Sequence, residues 1–209
     1  MRRRDLLWLT GLGWLAGPVL LIRPAPAHRE ESGRAATAGR QVVQAPAPTF
    51  TLTDQDGAPF IFQSWRGRAV LVTFGFTTCQ DVCPLLAAHL AFIQRQLEAA
   101  DQTRTGLLFI TTDPERDSPG VLQAYGAQFG ADFSTWKFLT GSARQLGSVW
   151  RGFGVSVKKL GEGQADHTTL TTIVDPKGIR RVNYYGAQWR PETVMTDLVA
   201  WARGGPTRP

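Results

Sequence analysis

The fold of this chain is decided by the stretch AVLVTFGFTTCQDVCP, which runs from Ala69 to Pro84. It begins with a run that is apolar on both alternating faces, as expected of a central parallel strand covered by helices. Pro84 then opens a helix, because proline is tolerated in a first helical turn. The chain has two cysteines in 209 residues, Cys79 and Cys83, and both lie at this junction. Their placement indicates a joint use, as a structural disulfide, a redox couple or a metal site.

The segments around this junction alternate between strand and helix patterns. Upstream, residues 50–62 alternate around an Asp-Gly turn and predict a β-hairpin. Downstream, the predicted order is β-α-β-α-α-β-β-α, with residues 161–167 as a loop before a strand at 168–174. A cysteine pair where the first central strand meets its helix, in this order of elements, is the thioredoxin-like arrangement. The expected fold is therefore α/β, with a central mixed β-sheet flanked by helices and an N-terminal β-hairpin.

The N-terminal segment differs in composition from the rest of the chain. Residues 1–27 join three arginines to an apolar stretch, which predicts a signal peptide or an N-terminal membrane anchor. The pattern leaves cleavage and anchoring open, with anchoring preferred, and either places the domain on the periplasmic side of the inner membrane. Residues 28–45 are predicted as a flexible tether, 46–203 as the folded domain and 204–209 as a tail.

The charge of the chain gives no support to nucleic-acid binding. The formal net charge is +6, and half of it lies in the first 27 residues, where four arginines face one aspartate. The remaining +3 forms no basic stripe interleaved with aromatic residues. A nucleic-acid partner is therefore not expected.

The spacing of the cysteines permits several chemistries. Residues four apart on one helical turn have Cα atoms about 6 Å apart, which suits a disulfide or a shared metal ion. Export favours a structural disulfide in general. However, so short a loop gains little from chain entropy, and the carboxyl edge of an α/β sheet is where ligands collect.

A third residue separates redox from metal chemistry. The three histidines are His28 in the tether, His89 within a helix and His167 directly before the strand at 168–174. Redox proteins of the thioredoxin-like class place a cis-proline before that strand, but this chain has no proline between Pro119 and Pro176. Two thiolates and one imidazole form a soft three-ligand set, which suits copper better than four-coordinate structural zinc.

Three motifs resemble those of the Sco/SenC family, and together they extend the resemblance over roughly residues 46–203. They are FGFTTCQDVCP at 74–84, DPERD at 113–117 and DHT at 166–168. The family consists of membrane-tethered copper proteins with a thioredoxin fold that help assemble the copper centre of cytochrome c oxidase. One departure is Gln80, where the family commonly has proline, and it removes no ligand.

The resemblance implies a site and a role. Copper, as Cu(I) or Cu(II), is expected on Cys79, Cys83 and His167, with the two cysteines also forming a redox-active disulfide. Asp81 and Asp113 are expected to support the ligands or to form a docking surface. The implied role is that of a metallochaperone, which is not an enzyme, and thiol-disulfide oxidoreductase activity is left open.

The implied partners are the copper-binding subunit of cytochrome c oxidase, an upstream copper donor or thiol reductant, and the membrane through the N-terminus. Two other functions use the same cysteines. A thiol-disulfide reductase acting on the cysteines of the oxidase subunit would not need His167. A thiol peroxidase is the less supported alternative, because one nucleophile with an arginine partner would be expected there.

Overall fold

The protein is described by a computed structural model that covers residues 39–161 and 164–205. These residues form ten strands, which are β1 (Arg40–Pro46), β2 (Thr51–Asp54), β3 (Pro59–Ile61), β4 (Ala69–Gly75), β5 (Thr105–Thr111), β6 (Trp136–Thr140), β7 (Val157–Gly161), β8 (Gln164–His167), β9 (Leu170–Val174) and β10 (Ile179–Tyr185). The described helices are α1 (Val82–Gln96), α2 (Ala99–Gln102), α3 (Pro119–Gln128), α4 (Ala143–Phe153) and α5 (Pro191–Ala202), with a 3-10 turn at Phe62–Trp65.

Eight strands form one mixed sheet in the order β1-β10-β9-β4-β5-β6-β2-β3. The centre is parallel, because β4 pairs with β5 and β5 with β6 in the same direction. Strand β9 pairs antiparallel with β4, and β10 returns antiparallel to β9. The predicted thioredoxin-like α/β fold is confirmed, as is the N-terminal hairpin of β2 and β3.

Helices cover both faces of the sheet, which explains why β4 has apolar residues on both alternating faces. Leu71 faces a core built with α1, α3 and α5, whereas Val70 and Val72 face a second core built with α4 and the N-terminal hairpin. All seven residues of β4 are buried. The strand is therefore packed along its whole length. The cysteine loop begins directly after its last residue.

Strand β6 was not predicted from the sequence. Its five residues include Lys137 at the second position, which interrupts the apolar pattern. In the structure Lys137 forms an ion pair with Asp54 of β2 at 3.2 Å, while β6 pairs with β5 on its other side. Pairing on both sides, rather than local propensity, makes this segment a strand.

Of the segment predicted as a loop at 161–167, Gly161 and Gln164–His167 instead belong to two paired strands outside the main sheet. Strand β8 pairs antiparallel with β7, and Val157 lies opposite His167 in the register. The loop prediction is therefore wrong for Gly161 and for Gln164–His167. The polar, glycine-containing sequence has no strand pattern of its own, so the pairing with β7 decides its conformation.

The predicted tether also ends too late. Arg40–Pro46 forms the edge strand β1 on β10, so the folded domain begins before residue 46. The Arg40 guanidinium donates to Asp197 of α5 at 2.8 Å, which fixes the strand to the last helix. Every side chain of β1 is at least partly exposed, and Val42 is largely exposed, so no apolar pattern indicated this strand.

The predicted signal or anchor at 1–27, most of the tether and nearly all of the tail lie outside the described residues. Among the helices that are described, none is long and apolar enough to cross a membrane.

Candidate metal centre

The two cysteines occupy different environments at the end of β4. Cys79 lies in the loop before α1 and is partly exposed, whereas Cys83 is the second residue of α1 and is fully buried. The backbone N–H of Cys79 donates to the Phe76 carbonyl oxygen at 3.4 Å, which closes the turn ahead of the helix. Both thiols are free. The two cysteines therefore do not share one helical turn. Cys79 lies in the loop, and Cys83 lies in the first turn of α1.

Gly75 makes the close approach of Cys83 possible. A Cβ atom at this position would lie 3.0 Å from the Cys83 sulfur and 2.9 Å from the Phe109 ring. Real Cβ atoms are hardly ever that close to a neighbour, so a side chain here would displace the sulfur or the ring. The glycine that ends β4 therefore lets α1 begin directly over the strand.

The thiol of Cys83 is held in its protonated form. Burial raises its pKa, and the hydrogen-bonded Cys79 thiol raises it further, while a hydrogen bond with the Phe76 backbone acts in the opposite direction. The effect of Cys79 on the pKa of Cys83 places the two thiols near each other. Cys79 is therefore the more accessible of the two thiols, and Cys83 is shielded from solvent.

His167 lies at the same end of the sheet as the cysteines. Its ring packs edge-on against Phe76, the residue that follows β4, with ring centroids 6.0 Å apart. Its Nδ1 donates to the Thr168 carbonyl oxygen at 3.1 Å, and this tautomer leaves a lone pair on Nε2. Burial lowers the pKa of His167, which favours the neutral imidazole that metals require.

The structure brings the two cysteines together but does not gather the full predicted set. His167 reaches the cysteine loop through Phe76. Across residues 39–161 and 164–205, no three side chains of histidine, cysteine, aspartate or glutamate are close enough to hold one metal ion. His89 packs against Trp189, with ring centroids 4.6 Å apart. His28 lies outside the described residues.

The two predicted supporting aspartates differ in their contacts. Asp81 is exposed at the N-cap position of α1 and makes no capping hydrogen bond with its side chain. Asp113 is buried, and its carboxylate pairs with Arg116 at 2.9 Å. The carboxylate of Asp113 thus stabilises its own loop, and the exposed Asp81 is the one available for a docking surface.

The buried carboxylate that contacts the cysteine loop belongs to Asp117, which is not among the predicted site residues. Asp117 accepts hydrogen bonds from the Thr77 hydroxyl and the Thr111 hydroxyl, each at 2.5 Å, and from the Thr77 backbone N–H at 3.2 Å. It thereby joins the loop before Cys79 to the end of β5. The signal was present, because Asp117 is the last residue of the DPERD motif.

Together, the fold and the site define a class: a thioredoxin-like domain with two free thiols at the strand-to-helix junction and a neutral histidine at the same edge. Within that class, the family model described as SCO1/SenC matches residues 38–203. The chain belongs to the SCO1/SenC family.

Individual relatives agree with this assignment. A SCO1 protein homolog of Bacillus subtilis is 31% identical over 153 residues, which cover 71% of this chain and 79% of that protein. Bradyrhizobium japonicum ScoI, solved with copper bound, is 30% identical with a TM-score of 0.65 and is matched over 75% of this chain and 99% of its own. The structure of BsSco, a member of the Sco family of cytochrome c oxidase assembly proteins in which a disulfide switch was identified, is 27% identical with a TM-score of 0.67, over 78% of this chain and 97% of its own.

Proposed function

We propose that this protein is a copper metallochaperone that binds copper through Cys79, Cys83 and His167. It delivers the metal to the copper centre of cytochrome c oxidase, or keeps that centre reduced. The observation that carries the proposal is the pair of free neighbouring thiols at the start of α1, with a neutral imidazole held against the adjoining Phe76. The copper-bound ScoI and the oxidase-assembly role of the BsSco family support it.

The chemistry of the donor set fits a soft metal ion. Two thiolates and an imidazole favour Cu(I) over hard cations. Cys79 is the accessible first ligand, and Cys83 follows by releasing its proton. Because His167 is not yet at bonding distance, copper binding requires an adjustment of the β7–β8 hairpin that carries it. The hairpin forms a two-stranded sheet of its own, so this movement does not require a change in the pairing of the main sheet.

Transfer of the metal follows from ligand exchange. Thiolate and imidazole groups of the oxidase subunit replace Cys79, Cys83 and His167 one at a time. In an oxidising compartment the free pair loses two electrons and two protons to form a disulfide, which cannot bind copper in this way. Loading therefore needs a reductant that returns them. Residues 1–27 act as the signal or anchor that places the site on the periplasmic side of the inner membrane.

A second candidate function is thiol-disulfide reduction, and the asymmetry of the cysteines favours it. The accessible Cys79 would attack a partner's disulfide, releasing one partner thiol and forming a mixed disulfide. The buried Cys83 would then displace the second partner thiol, leaving a Cys79–Cys83 disulfide. The partner gains two electrons and two protons in this exchange, and an external thiol reductant restores the pair.

Copper retention in the reduced full chain tests the proposal. The protein is purified anaerobically, loaded with Cu(I), passed over a desalting column and analysed for copper, alongside His167→Ala and the matched control His89→Ala. We expect the parent and H89A to retain copper stoichiometrically and H167A to lose most of it, because two thiolates alone leave the ion open to competing ligands.

Equal copper retention by H167A and the parent would remove His167 from the site. The same three proteins are assayed for reduction of a disulfide substrate, which needs the cysteines alone. If H167A loses copper but keeps the parent's reductase rate, the two functions share one cysteine pair. A parent that reduces the substrate but retains no copper would leave reductase as the function.

A further inference from the structure

A cavity of about 450 Å³ opens at the end of the sheet opposite the cysteines. It lies where β9 ends and β10 begins, next to the start of β5 and the C-terminus of α5. The cysteine loop, by contrast, follows the last residue of β4. The cavity is therefore separated from the candidate metal centre by the length of the central strands.

The lining of this cavity is strongly basic. Its charged residues are Arg104, Lys177, Arg181 and Arg203, with Asp175 as the single acid. Four positive charges therefore face one negative charge within the lining.

The acids near the cavity are already neutralised. One Asp175 oxygen accepts from the backbone N–H groups of Lys177 and Ile179, each at 2.9 Å, and the other accepts from Arg181 Nε at 2.8 Å. Just outside the lining, Asp101 accepts two hydrogen bonds from Arg203, at 3.0 and 2.8 Å. In the part of the chain that the structure describes, Arg104 and Lys177 have no such acidic partner, so an excess of two positive charges remains.

Two of the guanidinium groups are held in place before any ligand arrives. Arg181 is fixed through Nε by Asp175, and it stacks over the Trp201 ring at 4.8 Å from the centroid. Among the residues that the structure describes, no acceptor binds the Nη groups of Arg181, so they can donate to a ligand. Arg203 is fixed by its bidentate pair with Asp101. Ordering such side chains in advance reduces the entropy that ligand binding would otherwise cost.

We propose that this cavity, which we call the basic pocket, binds a phosphate-bearing anion. Guanidinium forks match the geometry of phosphate oxygens, and Arg181 presents its fork beside an aromatic ring. A phosphate monoester carries a charge of about −1.5 to −2 at pH 7, which balances the unpaired charges of Arg104 and Lys177. The volume accommodates a group larger than inorganic phosphate. The phosphate belongs to a soluble phosphate compound or to a lipid headgroup, and the pocket recognises the chemistry that both share.

Binding of pyrophosphate to the reduced full chain tests this proposal. Isothermal titration calorimetry at low ionic strength compares the parent with Arg104→Gln/Lys177→Gln. The matched control is Arg95→Gln/Arg144→Gln, which removes the same charge from two exposed positions outside the pocket. We expect saturable binding by the parent and the control, and a dissociation constant raised about tenfold or more in the pocket variant, because two charged contacts are lost.

A second arm distinguishes the source of the phosphate. Sedimentation of the same proteins with phosphatidylcholine vesicles, with and without phosphatidylglycerol, measures the contribution of an anionic headgroup above any contribution of the N-terminus. A phosphatidylglycerol-dependent increase that the pocket variant loses and the control keeps identifies a lipid headgroup. Binding in solution alone identifies a soluble phosphate.

Two results would overturn the proposal that the basic pocket binds a phosphate-bearing anion. One is the absence of saturable binding in both arms. The other is an equal loss in the pocket and control variants, which would show unspecific attraction between an anion and a basic protein. Thermal unfolding and copper retention of both variants test whether they fold. We expect both to fold, because the altered side chains are exposed and lie away from the cysteines.

Discussion

Asp117 places a carboxylate in the interior beneath the cysteine loop, where it is fully buried. Burial raises its pKa, while its hydrogen bonds with Thr111 and Thr77 act in the opposite direction. A buried carboxylate is costly unless its partners satisfy it, and here three donors do so. The group therefore fixes the turn that leads to Cys79, and we interpret it as a positioning residue for the site.

Replacement of Asp117 should separate positioning from charge. Asp117→Ala removes the acceptor of the buried Thr111 hydroxyl and of the partly buried Thr77 donors, so we expect the free energy of unfolding to fall by about 2 kcal/mol or more, with weaker copper retention. Asp117→Asn keeps an oxygen for Thr77 and should retain copper close to the parent level. Urea unfolding and copper retention measure the two effects. Equal copper retention in all three proteins would show that Asp117 does not position the site.

At the scale of elements, the junction between β4 and α1 depends on a glycine. Gly75 gives the Cys83 sulfur room against the end of the strand, and the Phe109 ring closes the same space. The Cys83 sulfur lies only 3.0 Å from the place that a β-carbon of residue 75 would occupy. The position of the buried thiol is consequently set by strand and helix together.

A single added methyl group tests this dependence. We expect Gly75→Ala to destabilise the protein by about 1–3 kcal/mol through overpacking and to lower copper retention by displacing Cys83. Gly120→Ala is the matched control, because it lies in α3 with nothing within 4 Å of the new Cβ. That control should be neutral or stabilising by about 1 kcal/mol. Chemical denaturation of both variants gives the comparison, and equal stabilities would contradict the close contact.

At the scale of the whole molecule, the described histidines link stability to pH. Burial lowers the pKa of His89 and of His167, so the folded protein resists their protonation. An unfolded histidine has a pKa of about 6.5. Below that pH the unfolded chain binds more protons than the folded one, and the free energy of unfolding must therefore fall as the pH decreases.

We expect the reduced, metal-free protein to lose stability between pH 7 and pH 5, and His89→Leu to lose less over the same range. The leucine removes a titrating group and an imidazole Nδ1 that is buried without a hydrogen-bond partner, while keeping apolar contact with Trp189. Urea unfolding at several pH values provides the curves. A parent whose stability is flat, or a variant with the same slope, would exclude this role for His89.

Much of this protein follows from local sequence. The apolar run of β4 determined a strand buried on both faces, and Ser142 with Gln145 determined the start of α4 through a capping box. The three motifs predicted the family. The spacing of the two cysteines predicted that their thiols lie close together. Each of these signals comes from a short segment, about one strand or one or two helical turns long. Residues that close in sequence act on one another directly.

Other features were decided only by the tertiary structure. Strands β1 and β6 exist because of their partners, and β8 forms only against β7, so their own patterns did not predict them. Asp117 reaches Thr77 across 40 residues of sequence. His167 meets Phe76 only because the hairpin folds back to the carboxyl end of the central strands. Such contacts depend on where distant segments meet in the folded chain, which a local pattern does not encode.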